Sequence, residues 1–235
     1  MHSLFSDSIG AHALRFEKHL APTYGDGAGL RILWAFLIVG IAMHFALRFA
    51  FNLAGVHGSG ASLGVVIAWA ASFVLVHWAL VPVPFAAVGL RRFNDWSRRE
   101  RLYFFQVIPL AVVVFAVLFR AHLQALLDRH GLAGFLLFCI LGGLVWGFAQ
   151  ELIYRGWLQT EFTRRFGSVA GLIVANMVFT FGPLHLDYLG GPDGVRWSGL
   201  AAVFGIGLFF AIVYARSGNL WIPAVMHGLW PPNMN

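Results

Sequence analysis

Apolar positions fall in long runs along this chain, and polar residues collect in short stretches between them. The runs extend from Leu30 to Ala54 (interrupted by His44, Arg48 and Asn52), Ala61 to Leu90 (with Pro82 and Pro84 near its end), Leu102 to Phe119, Gly131 to Ala149, Ser168 to Leu184, Ser198 to Ala215, and a short Leu220 to Trp230. An α-helix needs about 20 apolar residues to cross a hydrocarbon core of ~30 Å. The pattern predicts an all-α fold, a polytopic membrane helical bundle of about 7–8 transmembrane helices. Leu4, Ile9, Leu14 and Leu20, interspersed with Arg15, Glu17 and Lys18, suit an interfacial amphipathic helix or a solvated arm equally. Residues 1–29 are expected to form that arm and residues 30–235 one transmembrane domain.

Composition strengthens this reading. Hydrophobic residues make up 59% and charged residues 11% of 235, where a soluble domain carries about 25% charged. The formal net charge of +6 points to cytoplasmic Arg and Lys against anionic membrane lipid, and not to nucleic acid. A single cysteine, Cys139, leaves no internal disulfide and no cysteine metal cluster. The first residues lack an apolar h-region, so no cleavable signal peptide is expected. No internal repeat is evident, which weakens a transporter reading. Arg91, Arg92, Arg98, Arg99 and Arg101 crowd one connection, Arg164 and Arg165 another, and Arg216 a third. The positive-inside rule places these three connections, and with them the N-terminus, in the cytoplasm. Arg120 and Arg129 run against the pattern.

Ionisable residues inside apolar helices are costly and mark candidate sites. Gln150, Glu151 and Arg155 stand in "FAQELIYRG", His185 in "FTFGPLHL" and His227 in "LWIPAVMHGLW". Counting back from the basic connections at ~1.5 Å per residue puts Glu151 ~21 Å, His185 ~27 Å and His227 ~15 Å from the cytoplasmic side. With tilt and a break at Pro183, the three can meet, provided the fourth helix continues to about Phe162. Each also has a plainer reading. Glu151 and Arg155 are spaced i,i+4 and can simply pair on one helix face, and a lone histidine in a span more often bridges helices. His44 has no second polar feature near it and reads as structural, and Arg48 as a side chain that snorkels.

These residues resemble the CAAX-protease and bacteriocin-processing (CPBP, or Abi) family of glutamic intramembrane endopeptidases. Its Glu-Glu-x-x-x-Arg motif is similar to Gln150-Glu151-Leu152-Ile153-Tyr154-Arg155, with Gly156 following. Its Phe-x-x-x-His motif is matched by Phe181-Gly182-Pro183-Leu184-His185, and its last, His-bearing helix by "SGNLWIPAVMHGLW" up to His227. The likeness covers about Trp146 to Trp230, with the motifs within 146–233. It implies peptide hydrolysis in a prokaryotic inner membrane without a cofactor. A glutamate and His185 would activate water, His227 and an Asn would hold the oxyanion, and Arg155 would orient Glu151. A carboxylate in a low-dielectric site becomes a usable base near neutral pH, and aimed donors stabilise an oxyanion by several kcal/mol. Membrane-associated substrates are implied: a prenylated C-terminal peptide, a leader or bacteriocin precursor, or the C-terminal anchor of an exported protein.

Two positions depart from the family pattern. Gln150 stands where the base is expected, and an amide cannot take a proton from water. It is an isosteric substitution that silences the site, or the mark of a naturally inactive protein, or a sign that Glu151 is the base. Against the last, Glu151 points ~100° away from position 150 and suits pairing with Arg155. Four residues beyond His227 stands Pro231 instead of Asn, and Asn233 comes two positions late. Besides an intramembrane protease with Gln150, Glu151, His185 and His227 as its centre and Arg155, Phe181 and Asn233 in support, two readings stay open. One is a pseudoprotease that binds a membrane partner in the same groove. The other is a zinc protease using Glu151, His185 and His227, although no His-Glu-x-x-His pair is present.

Overall fold

A computed structural model describes residues 24–55, 59–190 and 194–229. The N-terminal arm up to residue 23, Pro231 and Asn233 lie outside the described residues. Among the described residues, seven helices of eight or more residues follow in order: α1 Asp26–Leu53, α2 Ser59–Leu80, α3 Arg98–Leu118, α4 Arg120–Phe166, α5 Ser168–Phe181, α6 Trp197–Ser217 and α7 Trp221–Gly228. Five of them (α1, α2, α3, α4 and α6) are long and apolar enough to cross a membrane, so the chain is a polytopic helical membrane protein. The other two are shorter than the apolar runs suggest. α5 stops after 14 residues because Gly182 turns extended ahead of Pro183, whose ring cannot continue the helical hydrogen bonds. α7 spans only 8 residues, about 12 Å of helix.

Other boundaries moved for equally local reasons. The run expected to reach Leu90 ends its helix at Leu80, ahead of Pro82 and Pro84. The chain then makes a short 3-10 turn at Phe85–Val88 and reverses at Gly89, which sits at φ 85°. α4 begins at Arg120, well before the expected Gly131. Gly131 is instead a break inside it, with φ 65° and ψ 173°. Beyond that break α4 continues through the polar motif to Phe166, as the shared-site reading required. It widens into π winding at Phe135–Leu141 and Leu152–Gln159, a feature often found at functional sites.

The basic connections gather at one end of the bundle. Ser97 and Glu100 form a reciprocal cap on α3. Glu100 also pairs with Arg91 and accepts from Asn219 Nδ2 at 3.2 Å, while Arg91 Nη2 donates to the Gly218 carbonyl at 3.3 Å. Backbone closes the same junction, with Leu220 N donating to Gly89 O at 3.0 Å. At the end of α4, Glu161 is fully buried between Arg164 and Arg165, and Arg164 reaches Asp26 at the start of α1 at 2.9 Å. A hydrogen bond of 3.0 Å between Thr160 and Tyr214 joins α4 to α6 near that end. The interior is aromatic: Trp69, Phe73, Tyr154, Trp157 and Phe36 are buried together. His77 accepts from Trp157 Nε1 at Nδ1 and donates from Nε2 to the Val83 carbonyl, each at 3.0 Å. His44 packs against Trp69 and Trp146.

Candidate active site

The site grows from one face of α4. Gly143, Gly147, Glu151, Arg155 and Gln159 recur every four residues, which stacks them along one stripe. At the glycine end of the stripe α7 lies backbone to backbone on α4. A Cβ at Gly147 would meet Gly228 Cα at 2.7 Å and the Ala224 carbonyl at 2.8 Å. A Cβ at Gly228 would meet Leu144 Cα at 2.5 Å. Such close approach is the use of small residues between membrane helices. It brings His227, the neighbour of Gly228, onto the next residue of the stripe.

There Glu151, with no exposed surface, is hydrogen-bonded at one oxygen and ion-paired at the other. His227 Nδ1 lies 2.7 Å from Oε1, and Arg155 Nε lies 3.4 Å from Oε2. The carboxylate can only accept, so His227 Nδ1 donates. One turn along, α6 takes over as partner. Arg155 Nη2 donates to the Gly207 carbonyl and Gln159 Nε2 to the Ala211 carbonyl, each at 2.9 Å. The two helices run in parallel here, since a step of four on one matches a step of four on the other.

Phe179 stands at the centre. The Arg155 guanidinium lies 4.6 Å over its ring, and the rings of His185, Tyr154 and His227 lie 4.9, 5.1 and 6.2 Å from it. His185 Nδ1 is 2.9 Å from the Phe179 carbonyl and so donates to it. The second face of His227 stacks on Phe210 at 5.1 Å. Thus Arg155, His185 and His227, which the sequence scatters over three segments, converge on one aromatic residue, and Glu151 contacts two of the three. Phe181, named from the motif, sits at the end of α5 and is 41% exposed; Phe179 is the ring that both histidines touch.

Gln150 is 3% exposed, and its Oε1 accepts no hydrogen bond among the described residues. Arg155 Nη1 is likewise buried without a partner there. No group of three or more His, Cys, Asp and Glu side chains suited to a metal occurs among the described residues. Glu151 pairs instead with His227 and with Arg155.

Sequence reasoning missed Phe179, Gly207 and the glycine stripe. The Gly143-x-x-x-Gly147 spacing is a recognisable sign of close helix packing. Phe179 carries no sequence mark beyond lying six residues before His185.

Residues 132–231 match the family described as Rce1-like type II CAAX prenyl endopeptidase. No curated protein and no solved structure matches the chain.

Proposed function

With residues 132–231 a domain of the Rce1-like type II CAAX prenyl endopeptidase (CPBP/Abi) family, we propose that this protein is an intramembrane endopeptidase. It hydrolyses a peptide bond of a membrane-associated or lipid-anchored protein or peptide. The observation that carries this reading is the buried Glu151–His227 pair of 2.7 Å, backed by Arg155 and sharing Phe179 with His185. Such a cluster supplies what amide hydrolysis needs: a proton acceptor for water, and donors for the oxyanion and the leaving amine. Glu151, His185 and His227 form the centre of the site beside Gln150, with Arg155, Phe181 and Asn233 in support. The basic connections lie in the cytoplasm together with the N-terminus, in a prokaryotic inner membrane. Reporter fusions that put the Arg91–Arg101 connection outside would reverse this orientation.

Gln150 favours a second reading, a pseudoprotease that holds a membrane partner in the same groove, because an amide accepts no proton from water. The two are separated with purified protein in liposomes. The probes are a farnesylated CAAX peptide and a peptide ending in a hydrophobic C-terminal anchor, and new termini are read by mass spectrometry. Cleavage by the wild type or by Gln150→Glu, lost in His185→Ala, supports the protease. No cleavage by either protein, both folded, favours the pseudoprotease.

A further inference from the structure

Gln150 removes the expected base, yet the pair beside it presents another. We propose that His227, held by Glu151, is the catalytic proton acceptor in this chain; the inference rests on the protease reading above. Arg155 Nε lies 3.4 Å from the far oxygen of Glu151, and the near oxygen takes the hydrogen bond from His227 Nδ1. A neutral imidazole carries one ring proton. With that proton on Nδ1, Nε2 keeps its lone pair, and it makes no hydrogen bond among the described residues. Stacking on Phe210 and edge contact with Phe179 hold the ring in place. The side chain of His227 is 15% exposed and that of Glu151 0%; the imidazole is therefore the member of the pair with surface open to a bound reactant. His185 differs, because its Nδ1 donates to a neutral carbonyl. His227 has a carboxylate positioned to stabilise the imidazolium that proton uptake creates, which is the service an acidic residue gives a catalytic histidine.

The step balances without a co-reactant. Water oxygen bonds to the scissile carbonyl carbon as one water proton moves to His227 Nε2, and the carbonyl π pair becomes the oxyanion. On collapse the C–N bond breaks and the Nε2 proton passes to the leaving nitrogen. The second water proton stays with the new carboxyl group, and His227 returns to its neutral state. Glu151 acts through His227 and is a positioning residue.

The test uses the full-length protein in proteoliposomes with an internally quenched farnesylated CAAX peptide. The wild type cleaves, and His227→Ala lowers kcat by about 10²–10⁴-fold, the usual contribution of a general base. His227→Asn keeps an N–H donor but has no basic nitrogen, and is as inactive as His227→Ala. Added imidazole restores part of the His227→Ala activity. Glu151→Gln lowers kcat with little change in KM. Near-wild-type turnover by His227→Asn would make His227 an oxyanion donor and overturn the inference. So would an inert wild type beside an active Gln150→Glu, although the protease reading would then stand. If neither protein cleaves, both readings fall. Nitrogen-15 NMR of labelled wild-type protein guards against misfolded variants: the neutral His227 ring carries its proton on Nδ1, and a proton on Nε2 overturns the proposal without any variant.

Discussion

Gly147→Ala should separate the two halves of the site without touching either. The added Cβ would lie 2.7 Å from Gly228 Cα and 2.8 Å from the Ala224 carbonyl. Carbon atoms rest at about 3.5–4.0 Å, so α7 must retreat by roughly 1 Å, because both obstacles are backbone and cannot rotate away. His227 sits next to Gly228 and moves with it. A shift of that size stretches the 2.7 Å Glu151–His227 contact past the ~3.2 Å limit of a good hydrogen bond. Misplacing a catalytic group by about 1 Å costs on the order of 10²-fold in rate, and overpacking costs about 1–3 kcal/mol of stability. The assay is cleavage of the farnesylated peptide well below the melting temperature, with Tm in detergent measured beside it. Gly205→Ala is the control, since a Cβ there meets nothing within 4 Å; it should leave both readouts at wild-type level or raise Tm slightly. If Gly147→Ala cleaves and melts like the wild type, the glycine contact does not position His227 and the reasoning fails.

Two further substitutions probe the elements around the site. Arg155→Met leaves Glu151 buried with only His227 for company, and should lower stability by about 3–5 kcal/mol, the usual effect of removing one partner of a buried ion pair. A Tm within a degree or two of wild type would mean that Arg155 does not hold the carboxylate. Ser97→Ala removes the oxygen that accepts from Glu100 N at 3.2 Å; it should cost about 1 kcal/mol and leave peptide cleavage unchanged, whereas a large loss of activity would tie the α3 cap to the site.

Much of this was legible from the sequence, and the limits are physical. Long apolar runs mark helices, and Pro183 marked a break, because membrane burial and a missing N–H leave few alternatives. Glu151, Arg155, His185 and His227 stood out because ionisable groups among apolar residues are rare. How they meet was not legible. The contact between Glu151 and His227 depends on three glycines, and a glycine advertises nothing in an apolar run until its partner helix is known. The i,i+4 spacing gave the Glu151–Arg155 pair, but the carbonyls of Gly207 and Ala211 that receive Arg155 and Gln159 belong to the backbone, which every sequence supplies everywhere. The helix end failed at α2 for a related reason. Apolar residues continue past the helix, and only the turn at Pro82–Gly89 shows where the winding stops.

Gln150 brings stability and function into direct opposition. Its side chain is 3% exposed and its Oε1 accepts nothing among the described residues. A buried polar atom without a partner costs about 1–3 kcal/mol. Met has similar length and no such atom, so Gln150→Met should raise stability by up to that amount. For a chain of this size that is roughly 2–4 °C in Tm per kcal/mol. Nearby, Arg155 Nη1 is a donor without an acceptor. Gln159 Oε1, Asn176 Oδ1 and Thr180 Oγ1 are buried without a partner among the described residues as well, so the polar lining around α4 exceeds what the fold itself satisfies. Groups kept at a cost to stability belong at sites that bind something. The same Met variant should therefore bind or cleave the farnesylated peptide less well while melting higher. If Gln150→Met melts lower than wild type, the amide is satisfied in the folded protein and its retention is structural. If it melts higher with substrate affinity and turnover intact, position 150 serves neither purpose.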